Sequence, residues 1–197
     1  MFQSANEIHR KLIRHILKNG LDYRWSIQGF GMLRLYLDKE TRLHIWNPSA
    51  AVPDVSEIHD HPWDFVSNII CGSLTNELYR IIEELPEVTM LMQQIVCGPG
   101  GHSCGTPEPV KMGLVSTRDY KTGESYAQFA PAFHRTIAAP GTITIIKRRF
   151  RENTENARVC FPLGTEWVSA EPRDATPEEI SPFLQQALIQ MENSPEV

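Results

Sequence analysis

The most informative stretch of the 197-residue chain is Ile58-His59-Asp60-His61-Pro62-Trp63-Asp64-Phe65. Side chains two positions apart on a β-strand point to the same side, so a strand would place His59 and His61 close enough to bind one metal ion. On a helix the same spacing would turn the two imidazoles away from each other. The pair therefore predicts a metal site only if the chain around it is built from strands.

The chain on both sides of this stretch has the pattern of short β-strands. Short apolar, β-branched and aromatic runs are separated by turn residues. The predicted strands are 32–37, 42–46, 65–71, 74–82, 88–97, 110–116, 126–129, 142–147 and 159–161. Many short strands at close spacing, with few helical patterns between them, predict an antiparallel sandwich or barrel over residues 22–162.

One helix is predicted at each end of the chain, over residues 1–20 and 176–192. In the first, Ser4 is an N-cap candidate with Glu7 three positions later, and apolar residues recur at helical spacing. In the second, Thr176 is the candidate N-cap and Pro177 occupies the first helical position. We therefore expect one domain, residues 1–197, with the terminal helices packed on the outside of the β-structure.

Composition excludes several classes of protein. Hydrophobic residues make up 41% and charged residues 22% of the chain, as in globular proteins, which excludes disordered, collagen-like and coiled-coil chains. A net charge of −5 argues against binding to nucleic acid or to an anionic membrane. No apolar run is long enough for a membrane helix, and residues 1–20 lack the apolar block of a signal peptide. We expect a cytoplasmic protein with four reduced cysteines, Cys71, Cys97, Cys104 and Cys160.

His134 is the candidate for a third metal ligand, because it also lies beside a predicted strand. Three neutral imidazoles on a rigid β-scaffold leave coordination positions open for water, oxygen or substrate. A second interpretation needs no metal. In it His59 and His61 are solvated loop residues beside Pro62, and His134 is a histidine of the core.

This pattern resembles the two short motifs of the cupin superfamily over about residues 30–150. The first motif has His-x-His, a glutamate and then a glycine, which His59, His61 and Gly72 match. The second motif supplies one histidine, for which His134 fits. The resemblance implies an RmlC-like jelly-roll barrel with the metal inside, and it also implies a homodimer.

The glutamate of the first motif has no match, because Phe65 stands at its position. A three-histidine site is therefore expected. Asp64, next to the vacant position, is either a fourth ligand, a carboxylate that holds a histidine tautomer, or a solvated loop acid.

Among the cupins, the three-histidine pattern looks most like the thiol dioxygenases of the cysteine dioxygenase type. That resemblance implies Fe(II), with zinc, manganese or nickel as alternatives. Arg34 lies near the place where the family keeps an arginine that clamps the substrate carboxylate, and Arg135 is a second residue that could orient an anion. The strand after His134, residues 142–149, lacks the tyrosine that the family uses.

The expected function is thus a metal-dependent oxygenase acting on a small molecule, with small anions among the candidate substrates. Two alternatives are open: a ligand-binding or sensor cupin without catalysis, and a cupin isomerase or epimerase. Fold alone does not choose among them.

Overall fold

The computed structural model describes residues 5–52, 57–96, 103–152, 156–165 and 172–194. Within these residues the chain forms two α-helices, α1 (Ala5–Lys18) and α2 (Pro177–Asn193), and fourteen β-strands. The strands are β1 (Ser26–Gln28), β2 (Met32–Tyr36), β3 (Thr41–Trp46), β4 (Ile58–His59), β5 (Trp63–Cys71), β6 (Ser73–Ile81), β7 (Met90–Val96), β8 (Ser103–Val110), β9 (Met112–Lys121), β10 (Ser125–Gln128), β11 (Phe133–Ala138), β12 (Ile143–Phe150), β13 (Asn156–Pro162) and β14 (Arg173–Asp174). Neither helix is long and apolar enough to cross a membrane.

The strands form two seven-stranded antiparallel sheets. The first sheet has the order β10-β5-β12-β3-β2-β1-β14, and the second has the order β8-β7-β13-β4-β11-β6-β9. The predicted all-β class is confirmed, and the two sheets are consistent with a jelly-roll-like fold; over the described residues they do not close into one barrel. Each sheet keeps two edge strands of its own, so the inner faces are buried by packing of one sheet against the other and not by closure.

The inner faces of the sheets form a shared core. Met32, Trp46 and Phe65 of the first sheet pack with Leu74 and Ala138 of the second. The helices cover the outer face of the first sheet. There Leu33, Leu43, Ile45 and Ile143 pack against residues of both helices, among them Ile13, Leu17, Phe183 and Ala187. The predicted position of the terminal helices is therefore confirmed.

A smaller apolar cluster lies on the outer face of the second sheet and includes Ile58, Phe133 and Cys160. The edge strands β8 and β9 of this sheet are consecutive in the chain, and only Lys111 separates them. Ile58 and Phe133 point outward, so their chain neighbours His59 and His134 point to the inner face.

Helix α2 begins as predicted. The Thr176 side chain accepts a hydrogen bond from the Glu179 backbone N–H, and the Glu179 carboxylate accepts one from the Thr176 backbone N–H. The predicted cap of α1, Ser4, lies outside the described residues. So does Cys97, whereas Cys71 and Cys160 are buried free thiols.

Candidate metal centre

The two motif histidines lie where the chain crosses from one sheet to the other. His59 ends β4 of the second sheet, and β5 of the first sheet begins at Trp63. In the second sheet His59 pairs directly with His134 of β11 across the antiparallel ladder. Side chains opposite each other in such a ladder lie on the same face, so the register brings His134 to the motif pair.

The three rings, from here on the histidine triad, face one another. Ring centroids are 4.8 Å apart for His59–His61, 4.6 Å for His59–His134 and 5.1 Å for His61–His134. One ring nitrogen from each histidine lies within 4.8 Å of the other two. Donors on a tetrahedral ion with bonds of about 2.1 Å stand about 3.4 Å apart, so small side-chain rotations bring all three into bonding distance.

Hydrogen bonding prepares the triad to donate nitrogen lone pairs. His59 Nδ1 lies 2.9 Å from the Glu57 carbonyl oxygen, which can only accept a hydrogen bond. Nδ1 therefore carries the proton and Nε2 of the same ring is free to bind a metal. His134 Nδ1 is buried and has no hydrogen-bond partner among the described residues. A buried nitrogen without a partner is costly, which fits a ring that receives a ligand.

Burial keeps the triad neutral. It is the main cause that lowers the pKa of all three rings, and it takes the pKa of His61 and His134 well below the usual value. A positive charge on His59 would also disfavour the protonated forms of His61 and His134. The backbone groups of Ala132 and His59 raise the pKa of His134 and so offset part of this lowering. Neither backbone group forms a hydrogen bond of normal geometry with His134 Nδ1. Neutral imidazole is the form that binds transition metals.

Aromatic side chains hold the rings in place. Trp63 stacks on His61 with centroids 4.0 Å apart, and Phe30 stacks on His59 at 5.2 Å. Phe65 packs against His61 and His134 at 5.7 and 5.8 Å. Phe65 occupies the position at which the cupin motif has a glutamate, and it points into the centre. The site therefore has an aromatic ring where that motif would place a carboxylate as the fourth ligand.

A buried ion pair anchors the turn that carries His59 and His61. The Asp60 side chain is 2% exposed and lies 2.6 Å from the Arg158 guanidinium of β13. Their backbones are also joined, since the Asp60 N–H donates to the Arg158 carbonyl at 2.9 Å. Sequence reasoning missed this pair. The only signal in the sequence was that side chains alternate in direction along a strand, which turns Asp60 away from the two histidines and toward the next strand.

The triad lines a cavity between the sheets. The space in which the centre of a water molecule can lie amounts to about 80 Å³, enough for several waters or a small ligand. Its wall includes Tyr126 of β10. Burial raises the pKa of Tyr126, although neighbouring Ser67 and Thr136 partly offset it, so the phenol stays protonated near neutral pH.

Asp64 takes no part in the centre. Its carboxylate accepts a hydrogen bond from the Ala130 N–H at 2.9 Å and pairs with Arg151 at 2.6 Å. Residues 63, 65 and 67 of β5 line the cavity, so residue 64 points to the opposite face. Asp64 is not in the group of described residues that could hold a metal ion. Its partners are Ala130 and Arg151 and not a histidine, so the expectation that it holds a histidine tautomer is wrong. The Glu57 carbonyl does this for His59.

The two predicted anion-orienting arginines differ in their surroundings. Arg135 forms ion pairs with Glu77 at 2.8 Å and with Glu57 at 3.3 Å, so two carboxylates already neutralise it. Arg34 is 8% exposed, and its Nε donates to Ser26 Oγ. Neither residue lines the cavity. A role for either in catalysis stays a prediction.

The donor set fits a transition metal. Three imidazole nitrogens without a carboxylate suit zinc, iron, copper or nickel, and they do not suit calcium or magnesium, which prefer oxygen ligands. Compared with known proteins, the chain matches no family model and no curated protein closely enough to count as a relative.

Proposed function

We propose that the chain is a cupin-type, metal-dependent oxygenase that holds Fe(II) through His59, His61 and His134 and acts on a small molecule. The observation that carries this proposal is the convergence of three neutral imidazoles on one point of an aromatic-walled cavity. Three protein ligands leave coordination positions for substrate and oxygen. The alternation of inward-facing residues on two facing sheets also supports the cupin-like interpretation. Zinc, manganese and nickel are the alternative ions.

The bound ion would supply a Lewis acid and, as iron, a centre that reacts with oxygen. The chain supplies the rest. Phe30, Trp63 and Phe65 pack against the rings of the triad and reduce their contact with bulk water, which strengthens the electrostatic interactions around them. The protonated phenol of Tyr126 is a hydrogen-bond donor for a ligand in the cavity.

Two measurements on untagged protein test the proposal. The first is elemental analysis after purification and after anaerobic addition of Fe(II). The second is the ferrous nitrosyl signal in electron paramagnetic resonance after nitric oxide is added, which reports an open coordination position without knowledge of the substrate. Oxygen uptake is then followed with a panel of small thiols and small organic acids.

We expect one iron per chain, a nitrosyl signal, and oxygen uptake that depends on one of the small thiols or organic acids in the panel. His61→Ala should abolish all three. The matched control is His15→Ala, at an exposed histidine of α1, which should abolish none. If Fe(II) binds but gives neither a nitrosyl signal nor oxygen uptake, the oxygenase proposal fails and a ligand-binding cupin is favoured. If the purified protein carries another ion that Fe(II) does not replace, an isomerase or epimerase is favoured.

A further inference from the structure

Three arginines lie together on the inner face of the first sheet, beside the histidine triad. Arg42 of β3 lines the cavity itself. Arg34 of β2 pairs across the ladder with His44, which also lines the cavity, so Arg34 is on the same face. Arg148 of β12 is two positions beyond Ile146, another lining residue. We refer to Arg34, Arg42 and Arg148 as the arginine cluster.

The guanidinium groups of the arginine cluster lie over the faces of aromatic rings. All three guanidinium carbons lie over the Tyr36 ring, at 5.0 Å for Arg34, 4.7 Å for Arg42 and 5.6 Å for Arg148. Two of them also lie over Trp63, at 5.2 and 5.3 Å. A guanidinium stacked by its face keeps its N–H groups directed outward in its own plane. Trp63 also stacks on His61, so one ring joins the cluster to the triad.

The charge of the cluster is not balanced within the described part of the chain. Arg34 and Arg148 are 8% and 7% exposed, and none of the three forms an ion pair there. Asp38 and Glu40, in the turn between β2 and β3, are near enough to raise the pKa of Arg148, but burial outweighs them and lowers it. Burial and the neighbouring positive charges lower the pKa of Arg42 to about 9.

Several buried nitrogens of this region also lack hydrogen-bond partners. Nε of Arg42, Nε of Arg148 and both ring nitrogens of His44 are buried without hydrogen-bond partners among the described residues. His44 is 7% exposed and lines the cavity. A buried donor that makes no hydrogen bond costs stability, and so does a buried charge without a counter-ion. Both costs are removed by a ligand that brings oxygen acceptors and negative charge.

We propose that Arg42, Arg148 and His44 form a binding site for a dianionic oxyanion, such as the phosphate of a phosphate monoester, and that Arg34 adds to its positive field. Arginine forks match the oxygens of such groups with paired, charge-assisted hydrogen bonds. Because three cations have no carboxylate partner, a dianion compensates more of the charge than a single carboxylate does. This site differs from the predicted clamps, since Arg34 is peripheral to it and Arg135 is absent from it.

The binding of the anion does not depend on the metal. Its identification as part of the substrate does rest on the proposed function, because the anion would then lie one aromatic ring away from the triad. Phosphate binding is therefore measured on chelator-treated protein, so that phosphate cannot bind to a metal ion instead of to the arginines.

The test is isothermal titration of the full chain at pH 8 with inorganic phosphate, which is then mainly dianionic, and with acetate as the monoanion. We expect phosphate to bind at least about tenfold more tightly than acetate. Arg148→Met should weaken phosphate binding about tenfold or more, because a charged hydrogen-bonding partner is lost. The control is Arg149→Met, which removes the same charge from the exposed opposite face of β12 and should change the affinity less than about twofold.

Arg148→Lys keeps the charge but loses the fork, and serves if Arg148→Met does not fold. It should also bind phosphate about tenfold more weakly. Equal affinity for acetate and phosphate, or equal loss in the Arg148 and Arg149 variants, would overturn the proposal. If phosphate binds as expected while iron does not, only the proposed function fails. If iron binds but phosphate does not, only the dianion site fails.

Discussion

Replacing Arg158 by methionine tests whether the Asp60–Arg158 pair anchors the turn that carries His59 and His61. Asp60 is 2% exposed and would keep only backbone hydrogen bonds, because its partner at 2.6 Å would be gone. Removing one member of a buried pair costs roughly 3–5 kcal/mol. Arg158 is itself 27% exposed, which places the expected loss near the lower end, at about 3 kcal/mol. Urea unfolding of metal-free protein at pH 8 measures it.

The pH dependence identifies the cause of this loss. Burial raises the pKa of Asp60 above its unfolded value, and removal of Arg158, which lowers it, must raise it further. Between the pKa of Asp60 in the folded wild type and its higher value in folded Arg158→Met, the folded variant binds a proton that the folded wild type does not. The free energy of unfolding of Arg158→Met relative to wild type should therefore fall as pH rises through this window and level off above it. The loss should be smaller at pH 5 than at pH 8.

Adding Asp60→Asn to Arg158→Met supplies the control. The amide keeps an oxygen for the backbone N–H of residue 158 but carries no charge, so it should restore about 1 kcal/mol or more at pH 8 and flatten the pH dependence. A loss below about 1 kcal/mol, as for an exposed pair, would refute the reasoning. So would a loss that is the same at both pH values.

Three further substitutions test other parts of the structure. Phe65→Glu places a carboxylate beside His134. It should strengthen metal binding about tenfold or more in a competition assay and should destabilise the metal-free protein. An unchanged metal affinity would mean that the side chain of residue 65 does not face the ion. Thr176→Ala should cost about 1 kcal/mol in thermal unfolding, and an unchanged stability would argue against the capping box. Arg173 first, and then the Thr176 backbone N–H, lower the pKa of Glu179 to about 2, so the stabilisation from that carboxylate should be complete above its unfolded pKa and be lost as pH falls through about 2. Gly72→Ala should cost about 2 kcal/mol or more, because φ is +89° and a Cβ would stand 2.5 Å from Thr142 Oγ1; a neutral effect would place the turn elsewhere.

The local part of the site could be predicted from the sequence. The direction of side chains along an extended chain depends only on the backbone period, so His59 and His61 had to share a face once the context was β. His134 was a candidate because it lies beside a predicted strand, and the resemblance to cupins supported it. The structure then supplies a physical reason for it, the cross-strand register that pairs His134 with His59.

The long-range part could not be predicted. Asp60 and Arg158 are far apart in the sequence, and only the pairing of β4 with β13 brings them together. The arginine cluster comes from three strands, and its members look like ordinary polar positions of alternating strands when each is taken alone. Strand β8 was not among the predicted strands, and it contains two prolines, Pro107 and Pro109. Prolines are tolerated there since β8 is an edge strand.

The most direct test of the central claim is an anomalous difference map. Crystals of untagged protein would be measured on both sides of the absorption edge of the metal that elemental analysis finds. We predict one peak per chain among His59, His61 and His134, with a nitrogen of each ring at about 2.0–2.2 Å from the ion. A peak at any other place, or a protein that binds none of Fe(II), Zn(II), Mn(II) and Ni(II), would contradict the account.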